Sequence, residues 1–189
     1  MEARRLATYD DLLQVPDHLV AEIVYGALHT SPRPAPPHAV ASSGLGSDLH
    51  QLWQRGRGGP GGWWILFEPE VHGHGHVLVP DIAGWRKSTL PLPPRDRAWF
   101  ETRPDWVCEV LSPSTARLDR GDKQRAYGEL GVPWLWLVDP LARFVEVLQR
   151  QDDGRYLRTA FATDETDAAL PPFEATPLDI AGLWLPDAP

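Results

Sequence analysis

The order of hydrophobic runs predicts an α/β domain in which helices flank a mixed central β-sheet. Short apolar runs suited to strands come first, as a meander, and after residue 105 a strand, a helix and another strand follow as a crossover unit. Leu78-Val79-Pro80-Asp81 and Trp106-Val107-Cys108-Glu109-Val110-Leu111 each carry one carboxylate in an apolar run that has no structural use for it. A single domain spanning residues 1–189 is expected, because this length suffices for one sizeable core.

Taken in order, Thr8 caps a short helix over Tyr9 to Leu13 that stops near Pro16. Leu19 to Tyr25 alternates as a strand, and Gly26 turns it into a second one over Ala27 to Thr30, giving an N-terminal helix and hairpin. Ser31 to His38 is a stiff, proline-rich connector that opens a helix running to about Arg55, with Leu45, Leu49, Leu52 and Trp53 at helical spacing. Residues 55–62 form a glycine-rich loop whose Arg55 and Arg57 can either contact phosphate or simply be solvated.

Trp63 to Val71 and Val77 to Trp85 are expected as two strands joined by His72-Gly73-His74-Gly75-His76. Alternate histidines share a face and can ligate a transition metal, although an exposed hairpin tip is the simpler expectation. Residues 88–104, rich in proline and arginine, are expected as a surface excursion. Trp106 to Leu111 is a strand apolar on both faces, and Ser112 to Thr115 a turn. A helix follows with Asp119 as cap and Gly131 as its end. Trp134 to Asp139, Arg143 to Gln149 and Arg155 to Phe161 supply further strands, and Leu178 to Trp184 a short closing helix.

Composition narrows the function classes. The chain is 42% hydrophobic with nine tryptophans, which excludes a disordered chain. The opening Met1-Glu2-Ala3-Arg4-Arg5 lacks the apolar core of a signal peptide, and no run is long enough to span a membrane, so a soluble, cytoplasmic protein is expected. Cys108 is alone, which rules out an internal disulfide. A net charge of -8 argues against a protein that coats nucleic acid through bulk charge, but leaves room for a local basic patch and a metal. Only Lys87 and Lys123 are lysines among 18 basic residues, which makes a lysine in this chain a specific choice.

On the Glu109 strand the period of two puts Val107 and Leu111 on the acid's face, so Glu109 points into a desolvated place. Asp81 stands likewise beside Val79 and Ala83. Two such carboxylates can share a divalent cation. Lys123 falls on the buried stripe of the following helix with Ala126, Tyr127 and Leu130. Phosphodiester hydrolysis needs a way to make hydroxide and to absorb charge, and carboxylates holding Mg²⁺ (or Mn²⁺) beside a lysine supply both. Asp81 and Glu109 are the expected metal ligands with the Val110 carbonyl, and Lys123 the group that orients or activates water. Glu22 is open between a solvent-facing edge and a site role. Asp119 and Lys123 can also be a plain helix pair worth about 0.3 to 0.5 kcal/mol, and Glu109 can pair with an arginine.

Pro80-Asp81, Glu109-Val110-Leu111-Ser112-Pro113-Ser114-Thr115, Asp119, Lys123, Tyr127, Gly131-Val132-Pro133 and Trp136-Leu137-Val138-Asp139-Pro140 together resemble the Uma-two family of bacterial restriction-endonuclease-like proteins. That family lies within the PD-(D/E)xK nuclease superfamily. The resemblance implies a restriction-endonuclease-like fold, Mg²⁺ dependence, DNA as substrate and a homodimer. Asp81 matches the motif's aspartate and Glu109 its second acid. Leu111 stands where the motif's lysine is expected, and Lys123 resembles the migrated lysine of this family. Glu22 matches an early glutamate, while His38, Asp119 and Tyr127 are further candidates. Two alternatives remain: a non-catalytic binding or regulatory module on the same scaffold, and a metal-dependent hydrolase of RNA or nucleotides.

Overall fold

The computed structural model describes residues 5–32 and 34–186, so the readings for residues 1–4, for Arg33 within the connector and for residues 187–189 fall outside it. Helix α1 (Tyr9–Leu13) is closed by Thr8 through a capping box with Asp11. Strands β1 (Leu19–Val24) and β2 (Ala27–Pro32) form the expected hairpin. Helix α2 (Pro36–Leu49) begins on two prolines, which have no N–H to leave unsatisfied there, and continues into a π-helical turn over His50–Gln54.

The two long strands expected over Trp63 to Val71 and Val77 to Trp85 are each cut in two. The pieces are β3 (Trp63–Phe67), β4 (Glu70–Gly73), β5 (His76–Leu78) and β6 (Ile82–Arg86). Pro69 and Pro80 are the cause, since neither can donate to a ladder. At the break Glu68 takes φ +45° and its N–H donates to the Asp81 carbonyl at 3.0 Å, so the two crossing points are tied together. The excursion over 88–104 contributes only β7 (Trp99–Phe100), paired parallel to β4.

Beyond it lie β8 (Trp106–Val110), α3 (Ala116–Leu118), a π-helical turn over Asp119–Lys123, α4 (Gln124–Leu130) and β9 (Trp134–Asp139). The helical stretch starts earlier than expected, because Ser112 captures the Thr115 and Ala116 N–H groups. Asp119 is therefore inside the helix and not its cap. Gly131 ends α4 in the left-handed conformation, as expected. Strands β10 (Phe144–Arg150) and β11 (Tyr156–Ala162) follow, and the expected closing helix shrinks to a 3₁₀ turn over Ala181–Leu183.

Two mixed sheets result. The larger runs β11-β10-β9-β8-β6-β3, with β8 and β9 parallel across the crossover helix. The smaller, β2-β1-β5-β4-β7, absorbs the N-terminal hairpin, which the sequence shows only as an isolated pair. One face of the larger sheet packs α2 and the C-terminal segment around Trp53, Trp63, Trp106, Trp136 and Phe173. Its other face packs α4 and the smaller sheet around Trp85, Val107, Leu111, Tyr127 and Leu135. Trp53, Trp63, Trp85, Trp106, Trp136 and Trp184 are buried within the chain itself. Among the described residues no helix is long and apolar enough to cross a membrane.

Candidate functional site

The chain passes between its two sheets at residues 79–81, and the polar residues of the interior collect at that crossing. Ile82 pairs with Cys108 in the antiparallel β6–β8 register, which sets Asp81 opposite Glu109 one step further. Asp81 Oδ2 accepts the Val110 N–H at 2.7 Å. Asp81 Oδ1 lies 3.1 Å from Nε2 of His38, on the first turn of α2.

Glu109 is 2% exposed on a strand buried at every position. Its Oε1 receives the Lys123 ammonium at 2.8 Å and the Tyr127 hydroxyl at 2.5 Å. Glu22, on β1, is 4% exposed, which decides its open reading in favour of the interior. Its Oε1 accepts the Val79 N–H at 2.7 Å and Lys123 at 2.9 Å. Lys123 and Asp119 share the π-helical turn, Nζ to Oδ1 3.7 Å. The plain helix pair is thus real, but it is one arm of a buried cluster. The structure brings together Asp81, Glu109, Lys123, Glu22, His38, Asp119 and Tyr127.

Burial sets the electrostatics. Desolvation pushes the Glu109 carboxyl well above the ordinary range, against the pull of Lys123 and with repulsion from Asp119, Asp81 and Glu22. Asp119 is raised to about 6, again chiefly by burial. Burial alone would depress Lys123, yet Glu109, Glu22 and Asp119 outweigh it and hold the ammonium well above an ordinary lysine. Burial likewise opposes charge on His38, and the Asp81 carboxylate overcomes it, leaving the imidazole raised. Tyr127 is raised by burial and then by Glu109.

Four carboxylates here gather around Lys123 and His38, and the raised Glu109 and Asp119 carboxyls reflect burial first and the neighbouring carboxylates second. A cavity of about 260 Å³ opens onto Glu22, Glu68, Asp81, Glu109, Asp119 and Lys123. Glu22 and Glu109 each direct one oxygen to two protein donors, and among the described residues no hydrogen bond reaches the other oxygen. These hard oxygen donors suit Mg²⁺ or Mn²⁺. The carboxylates are turned toward Lys123 and His38, and among the described residues no three His, Cys, Asp or Glu side chains form a closed ligand shell.

The histidine segment does not form a metal centre. His72 lies 2.6 Å from Glu70 and stacks on Trp99, whereas His76 is buried between the Tyr25 N–H and Glu129. His74 sits at the turn with φ +51°. The turn at His74 and Gly75 sets His76 opposite Gly73, so His72 and His76 lie on opposite faces of the hairpin.

Sequence reasoning missed Glu68, which lines the cavity from the β3–β4 break. Its signal was the acid directly before Pro69 within an apolar run. The hydroxyl-lined wall of Ser112, Ser114 and Thr115 was read only as a turn.

A profile of the Uma-two family, described as putative restriction endonuclease, matches residues 6–181. No curated protein matches the chain. Among solved structures it is similar to a crystal structure described as a putative nuclease belonging to DUF820 from Anabaena variabilis ATCC 29413. The TM-score is 0.73 at 25% sequence identity, over 94% of this chain and 97% of that one. Sequence profile and superposition agree over almost the whole length: the chain belongs to the Uma-two family and has its α/β, restriction-endonuclease-like fold.

Proposed function

We propose that this protein is a cytoplasmic DNA endonuclease, dependent on Mg²⁺ or Mn²⁺ and acting as a homodimer, with Asp81, Glu109 and Lys123 at its centre. The observation that carries the reading is the placement of Asp81 opposite Glu109 at the sheet crossing, with one lysine spanning Glu109 and Glu22. The family match and the nuclease neighbour support it. Asp81, Glu109, Glu22 and the Val110 carbonyl would hold the ion. When bound, it supplies a nucleophile at neutral pH and neutralises charge on the phosphate.

The chain's own residues do the rest. His38 and the Val110 amide hold Asp81 by one oxygen each, fixing its plane. Tyr127 donates its hydroxyl to the same Glu109 oxygen that Lys123 reaches, restricting that carboxylate. Lys123, kept cationic by its carboxylates, orients water or offsets charge that grows on the phosphate. Exposed Leu157 and Phe161 on the edge strand β11 are the surface we assign to the dimer.

The test is cleavage of plasmid, single-stranded DNA and RNA with Mg²⁺ or Mn²⁺, wild type against Asp81→Ala. Metal-dependent cutting of DNA that the variant loses supports the proposal. Preferential cutting of RNA moves the reading to the hydrolase alternative. A second reading, the non-catalytic module, draws on the double engagement of Lys123 by Glu22 and Glu109; divalent-ion binding without cleavage of any polymer would establish it.

A further inference from the structure

We propose that Arg55, Arg57, Arg86 and Lys87 form a docking surface for the phosphate backbone of a DNA duplex, away from the carboxylate site. The inference rests on the nuclease reading above for its choice of partner.

The described cations lining the site cavity are His38 and Lys123, and both are engaged by carboxylates. That wall therefore offers no further cation to the phosphates on either side of a reacting bond. Most surface arginines elsewhere are neutralised too: Arg5, Arg97, Arg103, Arg120, Arg125, Arg155 and Arg158 all have acidic partners within 4.0 Å. Arg55, Arg57, Arg86 and Lys87 are exposed, and among the described residues none has such a partner. Asp105, which accepts the Arg86 backbone N–H, is further committed to the Thr89 hydroxyl and to Arg103. Four cations without acidic partners around one end of the sheet make a local positive potential that favours an anionic ligand.

The surface is also built. The Arg86 guanidinium sits 4.5 Å over the Trp63 ring and the Lys87 ammonium 4.7 Å over Trp64, whose rings pack on opposite faces of the larger sheet, so the two charges flank the end of β6 from either face. The glycine loop is tied to the same place: Arg57 donates its N–H to Gln51, Gly61 to Leu52, and Lys87 to Gly62 at 2.9 Å. A Cβ on Gly59 would stand 2.7 Å from the Leu52 carbonyl, so only glycine lets the loop fold this close.

Strand β6 joins the two places. Asp81 precedes it and Arg86 ends it, a separation of about 17 Å at about 3.3 Å per residue. One strand of a duplex places a phosphate about every 3.4 Å of axis, so the patch would meet the backbone about five base pairs from the reacting phosphodiester.

The experiment measures binding of a short DNA duplex by fluorescence anisotropy without divalent ion, between about 50 and 200 mM salt. The variant R55Q/R57Q/R86Q/K87Q is expected to bind at least about tenfold more weakly, with a log–log salt slope smaller by about 3 to 4. R86K/K87R, which keeps the charges, is expected to bind as the wild type does. R55Q/R57Q alters only the exposed loop, guards against misfolding, and is expected to show about half of the slope change. Wild-type slope in the quadruple variant, or no duplex binding by the wild type, overturns the proposal. Set beside the cleavage assay above, patch-dependent binding by an inactive enzyme would overturn the nuclease reading alone. Active cleavage with patch-independent binding would overturn the patch alone.

Discussion

Replacing Lys123 with methionine tests the central feature of this interior, a single ammonium that balances a set of desolvated acids. Lys123 is 3% exposed and lies 2.9 and 2.8 Å from Glu22 and Glu109, whose side chains are 6% and 3% exposed. Methionine keeps the packing length and removes the charge. Breaking a buried pair from one side costs about 3 to 5 kcal/mol, because the stranded charge is left without water or partner. Here two glutamates are stranded, with Asp119 beside them, which argues for the upper part of that range at pH 8. Acid should relieve the cost. The Glu109 carboxyl is already raised by burial, and losing its cation raises it further, so the variant takes up a proton that the wild type does not. Each pH unit over which that single proton is bound recovers about 1.4 kcal/mol.

Urea unfolding at pH 8, 6.5 and 5 should therefore show a deficit of about 4 kcal/mol that shrinks by more than about 1 kcal/mol toward pH 5. The double variant K123M/E109Q should recover much of the loss at pH 8, since the two residues are coupled. A deficit below about 1 kcal/mol that does not change with pH would refute the reasoning, for it would mean that these acids are effectively solvated.

Three other outcomes follow from the geometry. Asp119→Asn should stabilise the protein by about 1 to 3 kcal/mol at pH 7 and by nothing near pH 4. A carboxyl raised to about 6 contributes full stability below its ordinary value and loses it as pH climbs through 6, and the amide escapes that loss. Unfolding midpoints of both proteins across that range check the sign. Tyr127→Phe removes the 2.5 Å hydrogen bond to Glu109 and should cost about 1.5 to 3 kcal/mol in urea unfolding with the fold retained. Gly128→Ala would set a Cβ 2.3 Å from the Gly154 carbonyl oxygen, and backbone cannot swing aside as a side chain does. A loss of about 1 to 3 kcal/mol is expected in thermal unfolding.

Much of the site was readable before folding because strands and helices have fixed periods. Glu109 shares a face with Val107 and Leu111, which pack together in one apolar cluster with Tyr127 and Ala126, as the periods of two and 3.6 require. The acids stood out because an apolar run gives an ion no solvation, and Lys123 because lysine is rare here. Asp119 was misjudged as a cap since its residue type suits one; Ser112 had already started the helix by local hydrogen bonds. The histidines were ambiguous because a shared face says nothing about what is packed on it.

By itself, then, the sequence determined the order of the elements, the crossover that sets β8 beside β9, the family, and the three residues at the centre of the cluster. These depend on local period, on turn chemistry and on residue types that a strand or helix does not otherwise need. Only the tertiary structure decided that two prolines send the chain into a second sheet. It also decided that Glu22 and His38 reach the same cavity from β1 and α2, and that Arg86 and Lys87 sit on indoles where the glycine loop is hydrogen-bonded to the end of β6. Those contacts join residues far apart along the chain, where pairing depends on how whole faces pack and no local pattern carries the information.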